Sequence, residues 1–194
     1  MKPLTLDETL SVADYERVRG RLRPLFIAEK DRRRLLVGEN LNLLFENDRT
    51  VWYQVQEMIR TERISDLAAI QHELDTYNEL IPGRGELSAT LLIQFGDTAE
   101  RDRRLRELVG LEQHLWMKIG TRRIRARFDA SQMSDERISS VQFIRFAVGI
   151  DTEAFVNSAK TGQVAVESDH PQLIVSTPID DRIAEVLAVD LAQG

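Results

Sequence analysis

Residues 51–82 carry the sequence VWYQVQEMIRTERISDLAAIQHELDTYNELIP, in which apolar side chains return every three or four positions. The apolar positions are Val51, Val55, Met58 and Ile59 in the first half and Leu67, Ile70, Leu74, Tyr77 and Ile81 in the second. Because this is the spacing of one helical face, the pattern predicts two helices, Val51–Ile64 and Asp66–Leu80.

The two predicted helices are joined by almost no chain, so we expect them to run antiparallel as a helical hairpin. The side-chain oxygen of Asn47 or Asp48 is expected to cap the first helix. Ser65 is expected to cap the second.

A cluster of polar side chains lies on this hairpin: Glu57, His72, Glu73, Asp75, Tyr77 and Glu79. A bend near Ile64 places Glu57 level with His72. A carboxylate can fix the tautomer of an imidazole, and Glu57, His72 and Asp75 can together ligate a divalent metal or iron. Helical periodicity turns His72 away from the apolar stripe, so a solvated face is the commoner explanation. A partner-binding surface is the third interpretation.

The amino-acid composition limits the classes of protein to which this chain can belong. Of 194 residues, 42% are hydrophobic and 30% charged, as in globular domains. The net charge of −6 argues against a general nucleic-acid binder, and the absence of cysteine excludes disulfides and thiolate metal ligands. No apolar run is long enough for a membrane span, and residues 1–14 lack a signal-peptide pattern. We therefore expect a cytoplasmic protein.

The N-terminal region predicts two short helices. Ser11 can cap a helix from Val12 to about Arg19, which Gly20 would end. Pro24 suits the first turn of a second helix over residues 25–34.

Strand patterns dominate the chain after the hairpin. The predicted strands are Leu41–Phe45, Leu87–Phe95, Leu111–Ile119, Arg122–Phe128, Ile138–Val148, Val164–Glu167 and Leu173–Ser176. Asp97 and Asp151 are expected to cap helices, and Thr177-Pro178 to begin a last one. Turns of hairpin length predict an α+β fold with a mostly antiparallel sheet, built mainly from residue 87 onward and covered by helices.

We expect a single domain over residues 1–194. Its parts are a helix-rich segment 1–82, a strand-rich segment 83–176 and a C-terminal helix 177–191.

Three arginines alternate with apolar residues on the strand predicted over Arg122–Phe128. Arg123, Arg125 and Arg127 would share one strand face, where they can bind an anion such as a phosphorylated ligand. An exposed sheet edge protected by charge is the commoner explanation.

The remaining histidines give weak signals. Glu112 and His114 share one strand face in the predicted arrangement, and with His72 and Glu57 they have the residue types of a 2-His-carboxylate site. His170, next to Pro171, is interpreted as a loop residue. A Ser-His-Asp site is disfavoured because no G-x-S-x-G motif occurs.

Several motifs together resemble a known family. They are Leu43-Leu44-Phe45-Glu46-Asn47, Gln56-Glu57-Met58-Ile59-Arg60, residues 71–82 (QHELDTYNELIP), residues 85–91 (GELSATL) and Ser140-Val141-Gln142. The chain resembles the bacterial domain-of-unknown-function family 3501 along nearly its whole length. This resemblance carries over no activity and no catalytic residue. It implies a gene setting near rubrerythrin and a heterodisulfide-reductase-like iron–sulfur protein, and hence a redox or peroxide-defence context.

The leading hypothesis is a non-catalytic accessory or interaction protein of such a redox system, with rubrerythrin-like or iron–sulfur proteins as partners. The alternative is a metal-binding protein or metal-dependent enzyme that uses the His72 and Glu57 cluster. A small-molecule or nucleotide sensor that uses the three arginines is the third hypothesis. The sequence leaves the oligomeric state open.

Overall fold

Two antiparallel sheets form the centre of the molecule in the computed structural model, which describes residues 1–132, 135–149 and 151–193. The first sheet has the order β1-β2-β3-β7-β6. Its strands are β1 (Arg34–Val37), β2 (Leu41–Phe45), β3 (Glu86–Ile93), β6 (Arg127–Phe128) and β7 (Val141–Ala147). All of its pairings are antiparallel, with registers such as Leu43↔Leu91 and Ala89↔Ile144.

The second sheet has the order β5-β4-β8-β9 and is antiparallel throughout. Its strands are β4 (Leu115–Ile119), β5 (Arg122–Arg125), β8 (Val164–His170) and β9 (Leu173–Pro178). Gly120 lies in the two-residue turn between β4 and β5 with φ of +58°, a conformation that glycine adopts without strain. The predicted fold class is confirmed, although the strands form two sheets rather than one.

Six α-helices surround these sheets in the described part of the chain. They are α1 (Val12–Asp31), α2 (Asp48–Thr61), α3 (Leu67–Asn78), α4 (Thr98–Glu107), α5 (Thr152–Lys160) and α6 (Asp181–Gln193). Short 3-10 turns occur at Leu6–Glu8, Leu111–Gln113 and Ala130–Gln132.

The main core lies between the two sheets and the last two helices. It contains buried side chains from both sheets, such as Phe45, Leu91 and Met117, together with Phe155 of α5 and Leu187 of α6. Because residues of both sheets share one apolar cluster, removing either sheet would expose the core of the other.

A second apolar cluster holds the helical hairpin. Val51, Val55 and Ile59 of α2 pack with Ile70 and Leu74 of α3. These residues belong to the stripes that the sequence predicted, so the amphipathic hairpin is confirmed, although Leu67 of the predicted stripe is 67% exposed. Asn47 caps α2 as predicted, because its side chain accepts from the backbone N–H of Thr50. The cap of α3 differs from the prediction, since it is Asp66 and not Ser65.

The helix α1 runs without interruption from Val12 to Asp31, so the prediction that Gly20 ends it was wrong. Its aromatic side chains fix it on α2, because Phe26 stacks on Tyr53 with ring centroids 4.7 Å apart and on Trp52 at 5.5 Å. This packing outweighs the cost of Pro24 in a helix interior.

Other boundaries also differ from the sequence prediction. Arg34–Val37 is a strand that pairs with Leu41–Phe45, where a helix was predicted to end. The last helix begins at Asp181 rather than at Thr177-Pro178, because β9 continues to Pro178. Strand pairing with β8 overrides the helix-start signal of Thr177-Pro178.

A buried ion network ties the N-terminal half to the C-terminal helix. The guanidinium of Arg33 donates to Glu29 at 2.6 Å and also binds Asp190 of α6. Asn47 donates to the same Glu29 carboxylate at 3.2 Å. Arg33 and Asp190 are almost fully buried, so each needs the other as a partner.

No helix among the described residues combines the length and the apolar character needed to cross a membrane.

Candidate functional site

Glu57, the centre of the predicted polar cluster, faces α1. Its carboxylate accepts from Tyr15 Oη at 2.7 Å, from Arg19 Nε at 2.7 Å and from Arg60 at 3.2 Å. The hydrogen bond from Arg19, reinforced by Tyr15 and Arg60, lowers the pKa of Glu57 to about 2. Burial and the Glu57 carboxylate raise the pKa of Tyr15 above its ordinary value. The contacts with Tyr15 and Arg19 join α2 to α1, whereas Arg60 lies on α2 itself.

The other members of the cluster lie on α3 and point elsewhere. His72, Asp75 and Glu79 are exposed, and Asp75 accepts from Gln71 at 2.7 Å. Glu73 and Tyr77 are half-buried, and Tyr77 packs against the second apolar cluster.

Within residues 1–132, 135–149 and 151–193, no group of three or more His, Cys, Asp or Glu side chains could hold a metal ion. The structure therefore does not bring Glu57, His72 and Asp75 together as a ligand set. Because α2 packs on both α1 and α3, its side chains can face either helix, and Glu57 faces α1 rather than α3.

The three arginines do not share a strand face, so this part of the prediction was wrong. The chain leaves one sheet at Arg125 and enters the other at Arg127, with Ala126 buried between them. Arg125 donates to Gln113 at 2.7 Å, whereas Arg127 pairs with Glu86. The alternation in the sequence conceals this change of sheet.

A cleft of about 840 Å³ lies where the end of α3 approaches β6 and β7. It joins residues from both predicted clusters, because Glu79 lines it from α3 and Arg127 from β6. Its other lining residues are Thr76, Leu80, Glu86, Ser88, Phe128, Asp129, Gln132, Phe143, Ile144 and Arg145. The volume falls in the range of natural ligand sites, about 300–1,000 Å³.

Two guanidinium groups and one carboxylate organise the cleft. Arg127 and Arg145 stand directly opposite each other in the β6–β7 ladder. Like charges at such positions repel, and Glu86 of β3 offsets this by accepting from both, at 3.1 Å from Arg145. Arg145 also donates to the backbone carbonyl of Glu79, which fixes the end of α3 over the sheet.

The cleft also offers apolar surface and fixed backbone groups. Phe128 and Phe143 contribute half-buried rings. The backbone N–H of Phe143 donates to the side-chain oxygen of Gln132 at 2.9 Å. The hydroxyl of Ser88 donates to the carbonyl of Leu80 and so closes the inner wall.

A second polar cluster surrounds Asp169 at the end of β8. Its carboxylate binds His114 Nδ1 at 2.9 Å, Arg123 at 2.9 Å and Trp116 Nε1 at 3.2 Å. The hydrogen bond with His114, followed by those with Arg123 and Trp116, lowers the pKa of Asp169 to about 2. Arg123 lies over the Trp116 ring at 4.6 Å.

His170 is buried at the end of β8, so its interpretation as a loop residue was wrong. Its Nε2 is 3.1 Å from the carbonyl of Val109, and its Nδ1 accepts from the backbone N–H of Gln172 at 3.2 Å. Nδ1 thus stabilises the turn between β8 and β9, whereas Nε2 contacts the segment that follows α4. The ring lies edge-on to His114, with ring centroids 5.3 Å apart.

Sequence reasoning missed the partners that make the cleft. Arg145 follows Phe143 by two positions on one predicted strand, which placed both on the same face. The sequence did not reveal that β6 and β3 pair with β7 on its two sides. The order and register of these strands bring Arg127 and Glu86 to Arg145. Strand periodicity alone does not contain it.

These features define an α+β protein in which two antiparallel sheets share one core and an open cleft lies beside the helical hairpin. The family model described as "Protein of unknown function (DUF3501)" matches residues 3–191, and the chain belongs to this family.

The chain is also similar to a solved structure from Burkholderia pseudomallei K96243, described as a novel protein of unknown function. The two are 35% identical with a TM-score of 0.87, over 98% of this chain and 100% of the other. No curated protein matches the chain significantly.

Proposed function

We propose that the protein is a non-catalytic interaction protein that binds a segment of a partner protein in the cleft between α3 and the β6–β7 edge. The cleft itself carries this proposal, because it combines hydrogen-bond donors, carboxylates and apolar rings in one place. These are the groups that recognise a polypeptide, which presents amides, charges and side chains at close intervals.

The paired arginines would anchor such a segment. A guanidinium has five N–H donors, and Glu86 and the Glu79 carbonyl use only part of this capacity on Arg127 and Arg145. The remaining donors can bind a carboxylate of the partner bidentately. The exposed carboxylate of Glu79 also lines the cleft, so the bound segment is expected to carry a basic group as well.

The family resemblance supports a redox setting for the partner. Rubrerythrin-like proteins and iron–sulfur proteins are the classes implied, and we propose them as the first partners to test. The role in this setting is that of an accessory protein.

The test uses purified candidate redox proteins encoded near the gene, and binding measured by calorimetry or biolayer interferometry. Wild-type protein should bind one of them, and Arg127→Ala/Arg145→Ala should weaken binding by about tenfold or more. The matched control is Arg123→Ala/Arg125→Ala, which removes two arginines from the other sheet. No binding by wild type, or equal binding by both double variants, would contradict the proposal.

The metal-binding alternative has a separate test. Elemental analysis of purified protein should show a stoichiometric divalent metal or iron that is lost in His72→Ala if Glu57, His72 and Asp75 form a site. Substoichiometric metal unchanged by His72→Ala would remove this alternative.

A further inference from the structure

The outer face of α1, a helix of 20 residues, is uncovered in the described structure. Tyr15 and Glu29 are the buried residues of this helix, and both point toward the rest of the protein. The opposite face is formed by exposed residues spaced three or four apart: Arg17, Gly20, Pro24, Ala28 and Asp31. Ile27, which is 40% exposed, lies at one edge of this face.

This face has apolar content that a solvated helix does not need. Ile27 is a large apolar side chain that stays exposed one turn from the end of a long helix, about 60° around the helix axis from Pro24. Exposed apolar side chains grouped with complementary charges are typical of interaction surfaces.

The order of residues on the face is self-complementary. Arg17 and Asp31 are equally far from Pro24 along the helix, about 10.5 Å at 1.5 Å per residue. Gly20 and Ala28 are likewise equidistant from Pro24, at about 6 Å. An antiparallel copy centred at Pro24 therefore places cation opposite anion at both ends and small residue opposite small residue between them.

We propose that α1 binds α1 of a second copy of the chain, antiparallel, with the two-fold axis beside Pro24. Such an isologous contact forms every interaction twice. Arg17 of each copy then pairs with Asp31 of the other. Asp31 has no ion-pair partner among the described residues of its own chain, whereas Arg17 pairs with the exposed Asp14 and donates to the backbone carbonyl of Ala13.

The small residues allow the two helices to approach closely. A methyl group added at Gly20 would meet nothing within 4 Å, so space is open above this position. Ile27 of one copy lies at the height of Gly20 and Arg21 of the other, where it can cover the exposed helix backbone.

A single pair of helices gives an interface at the small end of the range, below about 1,200 Å². The dimer should consequently be in equilibrium with monomer at micromolar concentrations. Its surface is distinct from the cleft, so the two proposals can fail independently.

The experiment is sedimentation velocity on the full chain from about 1 to 200 µM, a range that brackets weak specific association. The wild-type mass should rise from 22.2 kDa toward twice that value. Arg17→Asp and Asp31→Arg each place like charges opposite one another twice, and each should weaken dimerisation by about tenfold or more. The double variant Arg17→Asp/Asp31→Arg reverses both charges and should restore association to within about threefold of wild type.

A steric variant and a matched control complete the design. Ala28→Trp should abolish the dimer while leaving the circular dichroism spectrum unchanged, because Ala28 is exposed in the monomer. Glu39→Arg reverses one charge, as Asp31→Arg does, but in the exposed turn between β1 and β2, and should leave association unchanged.

A protein that stays monomeric at 200 µM would overturn the proposal. So would a dimer that neither single charge reversal nor Ala28→Trp weakens, since its interface would then lie elsewhere. Weakening by both single reversals without recovery in the double variant would show that Arg17 and Asp31 do not face each other.

Discussion

Arg33 lies in surroundings that tolerate little change. It is buried between Glu29 and Asp190, and burial raises the pKa of Asp190 despite the arginine beside it. Removing the guanidinium leaves two buried carboxylates without their main partner. The cost of a lost partner in a buried pair is about 3–5 kcal/mol.

We expect Arg33→Met to lower the free energy of unfolding by about 3 kcal/mol or more in urea denaturation. Arg32→Met is the matched control, because Arg32 binds the same Glu29 but is about half exposed, so a loss below about 1 kcal/mol is expected. Equal losses in the two variants would show that the Arg33 network contributes no more than a surface ion pair.

Glu57 makes stability depend on pH. Its folded pKa of about 2 lies below the ordinary value of 4.5, so the unfolded chain takes up the proton first as the pH falls. The stabilisation from Glu57 is present in full above about pH 5 and is lost progressively as the pH falls toward 2.

Glu57→Gln should therefore lower the free energy of unfolding by about 1–2 kcal/mol at pH 7, a value discounted for solvent screening. The difference from wild type should shrink at pH 3. Glu62→Gln, at the exposed C-terminal end of α2, serves as control. A difference between Glu57→Gln and wild type that does not change with pH would contradict this assignment.

At the residue scale, the sequence revealed polar groups but not their partners. The short connection of the helical hairpin predicts Glu57 level with His72, but it gives no information about α1. The partner of Glu57 is Arg19, on a helix that the Gly20 signal predicts to end at about that residue. Which neighbour a side chain contacts depends on the direction in which it points, and the spacing of residues in the sequence does not give this direction.

At the scale of elements, α1 shows local signals overridden by tertiary packing. Glycine and proline inside one helix predicted a break between Gly20 and Pro24, and the helix continues through both. Pro24 lacks the N–H that would bond to the Gly20 carbonyl, so the helix carries a defect that stacking of Phe26 on α2 offsets.

Replacing Pro24 with Ala restores this hydrogen bond and should raise the free energy of unfolding by about 1–3 kcal/mol. The measurement is urea denaturation at low micromolar concentration. Pro171→Ala, in the exposed turn between β8 and β9, should instead lower the free energy of unfolding by less than about 1 kcal/mol. If Pro24→Ala destabilised the protein, the proline would be contributing contacts that the structure does not contain.

The hairpin and most strands were predictable because their periodicity agrees with their packing. Leu41–Phe45 was predicted with its observed bounds. The failures lie where one run of alternating residues serves two sheets, as at Arg122–Phe128, and where strand pairing lengthens an element, as at β9.

At the scale of the whole molecule, the two apolar clusters are joined by polar bonds. Glu46 accepts from Thr50 of α2 at 2.5 Å and from Thr90 of β3 at 2.7 Å, all three buried. Together with the ion network around Arg33, these bonds link the helical hairpin to the main core. We therefore expect the chain to unfold as one cooperative unit.

The two tryptophans report on the helical hairpin and on the main core, since Trp52 lies on α2 and Trp116 on β4. In Trp52→Phe and Trp116→Phe variants, fluorescence and far-ultraviolet circular dichroism should give midpoints in urea that coincide within about 0.2 M in each variant. A fluorescence transition of Trp52 that precedes that of Trp116 by more than this would show that the hairpin melts first.

Ala126 is the single residue that connects the strand β5 of one sheet to the strand β6 of the other. An extra residue there would shift either Arg122–Arg125 or Arg127–Phe128 by one position and turn its side chains to the wrong face. Insertions and deletions among relatives should accordingly collect at hairpin tips such as Gly120 and Pro171. The spacing from Arg125 to Arg127 should remain constant in every member that folds this way.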